Sequence, residues 1–459
     1  MTSDKETTTS TGTMPDSTQT GVSVQENRGE AEMTTMHPIS AQAAAEKLYL
    51  EAANMGAEEA MALYDSCIAH NYSLLMDDPI VRAEGPWLHT RSGRRLFDGV
   101  SAYSAANLGH NHPLVRSMIV HFLAHQSPTV LGRFLPDPFL AALGRRITEM
   151  TGYESFLPAN GGVESVEAAI KLARRWGHRV KKVSGTPEII YFTGCFHGRT
   201  LTVTQCFEEE VALHGFGPFA PGFTKVQYGD IKALKKAVKP DTIAILIEPI
   251  QGEGGINIPP EGYLPEVHKL ARKKNVLVIY DEVQTGWGRT GRMFAWEHQG
   301  KKCRPDILCV GKSLSGGFGP ISGILADREL MQLFDPGSHG STFGGSPLSS
   351  AIALASLEAI EAEELPRKAA ENGAYVLERL FAIAEKSPYI KEIRGKGLMI
   401  GIELDRDGPD GHDLALRLVE EGIILKDTHR WVLRFTPPIV ATKAELDCAL
   451  GMIERVFTG

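Results

Sequence analysis

In the stretch DILCVGKSLSGG, residues 306–317, an apolar run of strand type ends and a lysine, Lys312, stands at once before a glycine-rich turn. A short apolar run bounded by turn residues reads as a strand covered on both faces. Four more runs of this kind occur, EIIYF (188–192), IAILI (243–247), VLVIY (276–280) and ISGILA (321–326). Helical patterns separate several of them, 231–238 and 264–273 among these. NGGVESVEAAIKLARRWGHRVKK (160–182) opens on glycines and continues with Val166, Ala169, Ile170 and Ala173 at helical spacing. Apolar strands alternating with helices predict an α/β fold whose large domain has a mainly parallel sheet covered by helices.

Outside that core the pattern changes. Residues 350–386 read as one long helical stretch, followed by the strand-like GLMIGIEL, GIILK and WVLRF and a last helix, which predicts a smaller α+β domain. Residues 41–67 read as helical, rich in Ala, Leu and Glu. The first residues are rich in Ser, Thr and acid with almost no large apolar side chain, too little to offset the entropy of ordering. The expected organisation is a disordered tail (1–36), an N-terminal helical extension with a segment of the small domain (37–115), the large domain (116–350) and a C-terminal small domain (351–459).

A net charge of −8 over 459 residues argues against binding to nucleic acid. No apolar run is long enough to span a bilayer. The six cysteines are scattered without CxxC spacing, which predicts free thiols in a reducing compartment, the cytoplasm.

Four of the strands run directly into polar loops: TGCFHGRT after EIIYF, EPIQGEGG after IAILI, DEVQTG after VLVIY and GKSLSGG after ILCV. In an open parallel sheet, ligands bind beyond the carboxyl ends of the strands. Phe196, His197, Arg199, Glu248, Glu253, Asp281, Gln284 and Lys312 should therefore meet in one cleft. Three other signals point away from a site. GWGRTG (286–291) has the letters of a dinucleotide fingerprint but does not directly follow a strand, and a poor helix follows it. The GKS at 311–313 lacks the first glycine of a phosphate-binding P-loop, since Asp306 stands there. The histidines of GHNHP (109–113) lie in a turn before a proline-started helix and have no companion metal ligands at suitable spacing, so no metal is expected.

The residue types of the cleft suggest a chemistry. Burial lowers the pKa of a lysine, which can then be neutral, nucleophilic and fit to form a Schiff base. Pyridoxal 5'-phosphate needs such a lysine for its aldehyde and an acid to keep its ring nitrogen protonated. Asp281, directly after an apolar strand, is costly to bury unless a cation pairs with it, and the pyridinium would be one. The glycines of NGGVES at a helix start offer N–H groups to a phosphate. Phe196 could cover one ring face.

With these motifs the chain resembles the class III aminotransferases, pyridoxal-phosphate enzymes of fold type I, over about residues 68–459. The resemblance implies that Lys312 holds the cofactor, that Asp281 meets its pyridine nitrogen, and that Gln284 lies near its ring hydroxyl. It matches Gly162 and Val163 to phosphate-binding amides. It matches Thr342, in HGSTFGG, to a threonine that reaches the cofactor of the neighbouring subunit, which implies a homodimer with shared active sites. Within the family the likeness is to enzymes acting on ornithine. HNY and SAYSA place Tyr72 and Tyr103 at substrate tyrosines, Arg199 would take a substrate carboxylate, and Arg434 would take the α-carboxylate of 2-oxoglutarate. Glu253 would pair with Arg434 while ornithine is bound. CFHGRT is closer to the acetylornithine enzymes, and Gly161 stands where Ser or Thr is common. Other ω-amino acid, acetylornithine and diamine aminotransferases, and an aminomutase on the same fold, stay open at this point.

Overall fold

The structure is a computed structural model that describes residues 38–459, so the tail 1–36 and its expected disorder lie outside the described residues. The chain divides after Met55 into two compact units. In the first, Pro38–Ala53 is a helix on which Leu48, Tyr49 and Leu50 are exposed. Everything below belongs to the second unit, Gly56–Gly459.

Its centre is a seven-stranded sheet. The strands are β1 (Ser155–Ala159), β2 (Glu188–Phe192), β3 (Phe223–Val226), β4 (Thr242–Ile247), β5 (Leu277–Asp281), β6 (Ile307–Val310) and β7 (Ser322–Ala326), in the spatial order β1-β7-β6-β5-β4-β2-β3. From β6 to β3 all pairs are parallel, while β7 runs antiparallel to both β6 and β1. The five runs read as strands are β2, β4, β5, β6 and β7 to within a residue, while β1 and β3 were not expected. Every residue of β4, β5, β6 and β7 is buried, as a sheet covered on both faces requires. The helix Gly162–Arg179 packs Val166, Ala169, Ile170 and Ala173 on one face, and Tyr263–Lys274 buries Val267, Leu270 and Ala271.

Two four-stranded sheets flank this core. One joins Ile80–Glu84, Trp87–Thr90 and Arg95–Asp98 to Ile423–Ile424, which pairs in parallel with Arg95–Asp98 across more than three hundred residues of sequence. The other holds Ile390–Lys396, Met399–Leu404, Val432–Phe435 and Lys426–Thr428. The segment GIILK, read as one strand, is thus divided between two sheets. The expected single helical stretch 350–386 is two helices, Pro347–Ala362 and Leu365–Ala384. Glu364 between them takes φ 52°, and Pro366 opens the second, where a missing N–H costs nothing.

GWGRTG has a packing role. Trp287 and Arg289 are wholly buried. Arg289 donates from Nε to Asn107 Oδ1 (3.1 Å), from Nη2 to the same oxygen, and from Nη1 to the carbonyls of Leu398 (2.9 Å) and Pro437 (2.7 Å). Burial pulls its pKa down to about 9, with Asp98 opposing. The histidines of GHNHP each meet a carboxylate, His110 at Asp98 (2.9 Å) and His112 at Glu363 (2.7 Å), and Pro113 opens the helix Pro113–Ala124. No helix among the described residues is long and apolar enough to cross a membrane.

Replacing Arg289 with Ala strands two buried carbonyls and one amide oxygen at a cost of ~1–3 kcal/mol each. We expect the Arg289→Ala variant to lose at least about 3 kcal/mol in urea unfolding; a loss below about 1 kcal/mol would mean the three acceptors find other donors.

Candidate active site

The site is built at the carboxyl ends of the parallel strands. β6 ends at Val310, and Lys312 follows in a short 3-10 turn, Lys312–Ser315. Its φ of 43° lies in the left-handed region that a side chain normally avoids, so the backbone is held in a strained conformation. Lys312 keeps some accessible surface inside the cleft. Its pKa is lowered by burial, with Glu253, Asp281 and Glu248 opposing the shift. No hydrogen bond or close ion pair engages its ammonium among the described residues.

Asp281 closes β5 and is buried. Its Oδ1 accepts the Val283 N–H (3.1 Å) and its Oδ2 lies 2.8 Å from Nδ1 of His197, from the loop after β2. Burial works against a charged His197. The Asp281 carboxylate bonded to it outweighs burial and raises its pKa. Its Nε2 meets no hydrogen-bonding oxygen or nitrogen among the described residues. The sequence placed His197 in the cleft but did not pair it with Asp281; the strand ends that put the two side by side are seen only once the sheet order is known.

Glu248, the first residue after β4, is also buried. It accepts the Phe196 N–H (2.9 Å) and the Gly252 N–H (3.1 Å), so it joins the loops after β2 and β4. Burial and Asp281 raise its pKa to about 7, against His197 and the two amides.

The helix Gly162–Arg179 starts beside these groups. A Cβ on Gly311, next to Lys312, would lie 3.7 Å from Gly162 Cα. The Ser322 hydroxyl, at the start of the antiparallel β7, donates to the Gly161 carbonyl (2.7 Å). Gly161 faces open space, whereas a Cβ on Gly162 would stand 2.7 Å from Val283 Cγ1. In this first turn the Gly162 and Val163 N–H groups have no helical acceptor, while the Glu164 N–H donates to the Gly161 carbonyl (2.9 Å). Gln284 is buried against Gly252.

A cavity of about 670 Å³ opens beside Phe196, lined by Arg199, Phe207, Glu208, Glu209, Glu253 and His429 among others. The Arg199 guanidinium lies 5.2 Å from the Phe207 ring and 5.9 Å from that of Phe196. Arg434, buried on the strand Val432–Phe435, is ion-paired with Glu253. Its guanidinium carbon stands 5.0 Å from the centre of the Tyr103 ring. Tyr103 lies in the run 101–104, all four residues with φ between 46° and 72°. The Asp98 carboxylate accepts the N–H groups of Val100 (3.0 Å) and Ser101 (2.8 Å) and holds this left-handed turn. Tyr72 is exposed and near enough to act electrostatically on Tyr103.

The structure thus brings together Lys312, Asp281, Gln284, Gly162, Val163, Phe196, Arg199, Glu253, Arg434, Tyr103 and Tyr72. It leaves Thr342 apart. That residue is exposed and lines a shallow groove with Val130, Leu131, Gly132 and Arg133.

Sheet order, the strained lysine at the end of β6 and the buried acid at the end of β5 define a fold type I transferase. Residues 68–457 match the family aminotransferase class-III, and the chain belongs to it. Over 396 residues it is 46% identical to the ornithine aminotransferase of Brevibacillus brevis, covering 85% of this chain and 95% of that protein. The crystal structure of the ornithine aminotransferase of Toxoplasma gondii superposes with a TM-score of 0.85 at 36% identity, covering 92% of this chain and 98% of the other. The acetylornithine aminotransferase of Elizabethkingia anophelis superposes with a TM-score of 0.78 at 35% identity, covering 88% and 99%.

Next to Asp281, Glu282 turns the other way. It is buried and accepts the N–H groups of Ala295 (2.6 Å) and Trp296 (2.8 Å) and the Thr285 hydroxyl (3.0 Å). Burial raises its pKa to about 8, against those three donors. A carboxyl that holds its proton more tightly when folded stabilises the protein at low pH, and this stability drains away as pH rises from about 4.5 towards about 8. The melting temperature of wild type minus that of Glu282→Gln should therefore fall across that window; a flat difference would show that Glu282 titrates normally.

Proposed function

We propose that this aminotransferase moves the δ-amino group of L-ornithine to 2-oxoglutarate, giving glutamate 5-semialdehyde and glutamate, with pyridoxal 5'-phosphate as cofactor. The observation that carries the reading is the Glu253–Arg434 pair in the cleft of Lys312. The names of the relatives support it.

The residues present suit the cofactor. Lys312 has a free amine, Asp281 offers a buried carboxylate, and the turn at Gly161–Val163 has open space and unpaired N–H groups for a phosphate. Bound there, the cofactor would supply an aldehyde for the amine and a protonated ring to take up the electron pair released at carbon. Asp281, steadied by His197, would hold the ring-nitrogen proton. Gln284 would lie near the ring hydroxyl and Phe196 over one ring face. Lys312 Nζ would hold the cofactor at rest and, once displaced by substrate, carry the proton from the amine-bearing carbon.

The carboxylate groups set the direction of ornithine. With Glu253 on Arg434, the guanidinium is neutralised and cannot draw the α-carboxylate next to Lys312. Arg199 and Tyr72 would hold that carboxylate at the far end, which leaves the δ-amine at the reacting centre, with Tyr103 along the wall. When 2-oxoglutarate binds, its own carboxylate would replace Glu253 on Arg434, so that one cleft serves both substrates. Selectivity would come partly from a disfavoured reverse pose.

The exposed Thr342, with Phe134 and Phe343 exposed near it in sequence or groove, supports a homodimer in which each subunit completes its partner's site. The large domain 116–350 would carry the cofactor groups, with Tyr72 and Tyr103 from segment 37–115 and Arg434 from segment 351–459. Six free cysteines suit a cytoplasmic enzyme.

The test is an amine-donor panel with 2-oxoglutarate as acceptor and products identified by mass. Ornithine should give glutamate 5-semialdehyde and should outperform N-acetylornithine, diamines and other ω-amino acids. A better N-acetylornithine or diamine donor, or a shifted amine formed without keto acid, would overturn the assignment. Borohydride should fix the cofactor to the Lys312 peptide in wild type, and Lys312→Ala should lose both that adduct and several orders of magnitude of turnover. Glu253→Ala should raise α- over δ-amine transfer roughly 10- to 100-fold, the size of a charge-assisted pair worth ~1.5–3 kcal/mol. An equal loss on every donor would reduce Glu253 to shaping its loop.

A further inference from the structure

The cavity beside Phe196 is lined by six groups that can carry charge: Arg199, Glu208, Glu209, Glu253, His70 and His429. Most are already engaged. Glu253 pairs with Arg434. Glu209 meets Nδ1 of His429 at 2.7 Å, a contact that links the segment after Phe207 to the turn between Lys426–Thr428 and Val432–Phe435. His70 turns back on its own segment, with Nε2 2.9 Å from the Asp65 carbonyl and 3.6 Å from its carboxylate. Two groups are left. Neither Arg199 nor Glu208 is in an ion pair within 4.0 Å among the described residues.

These two have opposite sign and both line the cavity. The guanidinium of Arg199 lies 5.2 Å from the ring of Phe207, and Glu208 is the next residue. Two opposite charges left unpaired on one wall match a ligand that carries both of their complements. An α-amino acid end is such a ligand, with a carboxylate and an ammonium on one carbon. The Glu209–His429 and Glu253–Arg434 contacts engage the other two acids of the lining, so Glu208 is the carboxylate of the cavity left without an ion pair among the described residues.

We infer that Glu208 is a specificity-determining residue that takes the α-ammonium of the amino donor while Arg199 takes its α-carboxylate. This rests on the δ-amine reading above and narrows the donor class: the far end must be a free zwitterion. An acylated α-amine, or a donor without an α-amine, has nothing to offer Glu208.

The experiment compares L-ornithine with 5-aminopentanoate, the same chain without the α-amine, on the purified, cofactor-loaded enzyme and its Glu208→Gln variant. The ratio of kcat/KM for ornithine to that for 5-aminopentanoate should fall roughly 3- to 10-fold in the variant, carried by KM, as suits an ion pair open to solvent. The variant loses a charge on an exposed loop, so its melting temperature should match wild type. An unchanged ratio, whether both donors suffer alike or neither does, overturns the inference while leaving the δ-aminotransferase reading in place. A wild-type enzyme that does not accept ornithine at all overturns both.

Discussion

A guanidinium buried without a hydrogen-bonded carboxylate holds the cleft together. Arg289 lies in the loop after β5, and its donors reach Asn107, Leu398 and Pro437. Each of those acceptors sits beside an element that lines the site or pairs with one that does, since the strand Met399–Leu404 pairs with the strand of Arg434. Asn107 follows the turn of Tyr103, Leu398 precedes the strand Met399–Leu404, and Pro437 follows the strand of Arg434. One side chain therefore fixes the N-terminal segment and the C-terminal sheet against the loop of Asp281. A buried charge without such a set of acceptors would be too costly to keep, and the acceptors without the charge would be unsatisfied.

Within that frame the cleft concentrates opposing charges. Asp281, Glu248 and Glu253 act on the Lys312 ammonium, yet burial still lowers its pKa. The outcome suits a group that must be nucleophilic in neutral solution without losing its acidic surroundings. Glu248 serves the geometry as well, since it ties the loop of Phe196 to the loop of Glu253. One ion pair of the cleft, Glu253 with Arg434, joins a buried arginine to a glutamate partly open to the cavity.

Two of the segments with left-handed backbone carry Lys312 and Tyr103. Lys312 is left-handed directly after β6, and residues 101–104 form a left-handed turn pinned by Asp98. Such conformations persist when the surroundings over-determine them, and they aim Lys312 and Tyr103 in directions that regular structure would not provide.

Much of this was legible in the sequence. Five apolar runs marked five of the seven central strands, β1 and β3 having no such run, and the polar residues directly after four of them named most of the cleft, because a parallel sheet brings its carboxyl ends to one edge. The lysine and the acid at two of those ends are enough to suggest the cofactor chemistry. Contacts between distant segments were not legible. Nothing local in GWGRTG shows that its arginine would be wholly buried, nor in GIILK that it would be shared by two sheets. The pairing of His197 with Asp281, and of Glu209 rather than Glu208 with His429, depend on what stands across the cavity. Local pattern determines which residues lie at strand ends because the side-chain period and the turn residues are written along the chain. Which of those residues pair, and which charges remain unpaired for a ligand, is decided by sheet order and by contacts across hundreds of residues, and so by the tertiary structure alone.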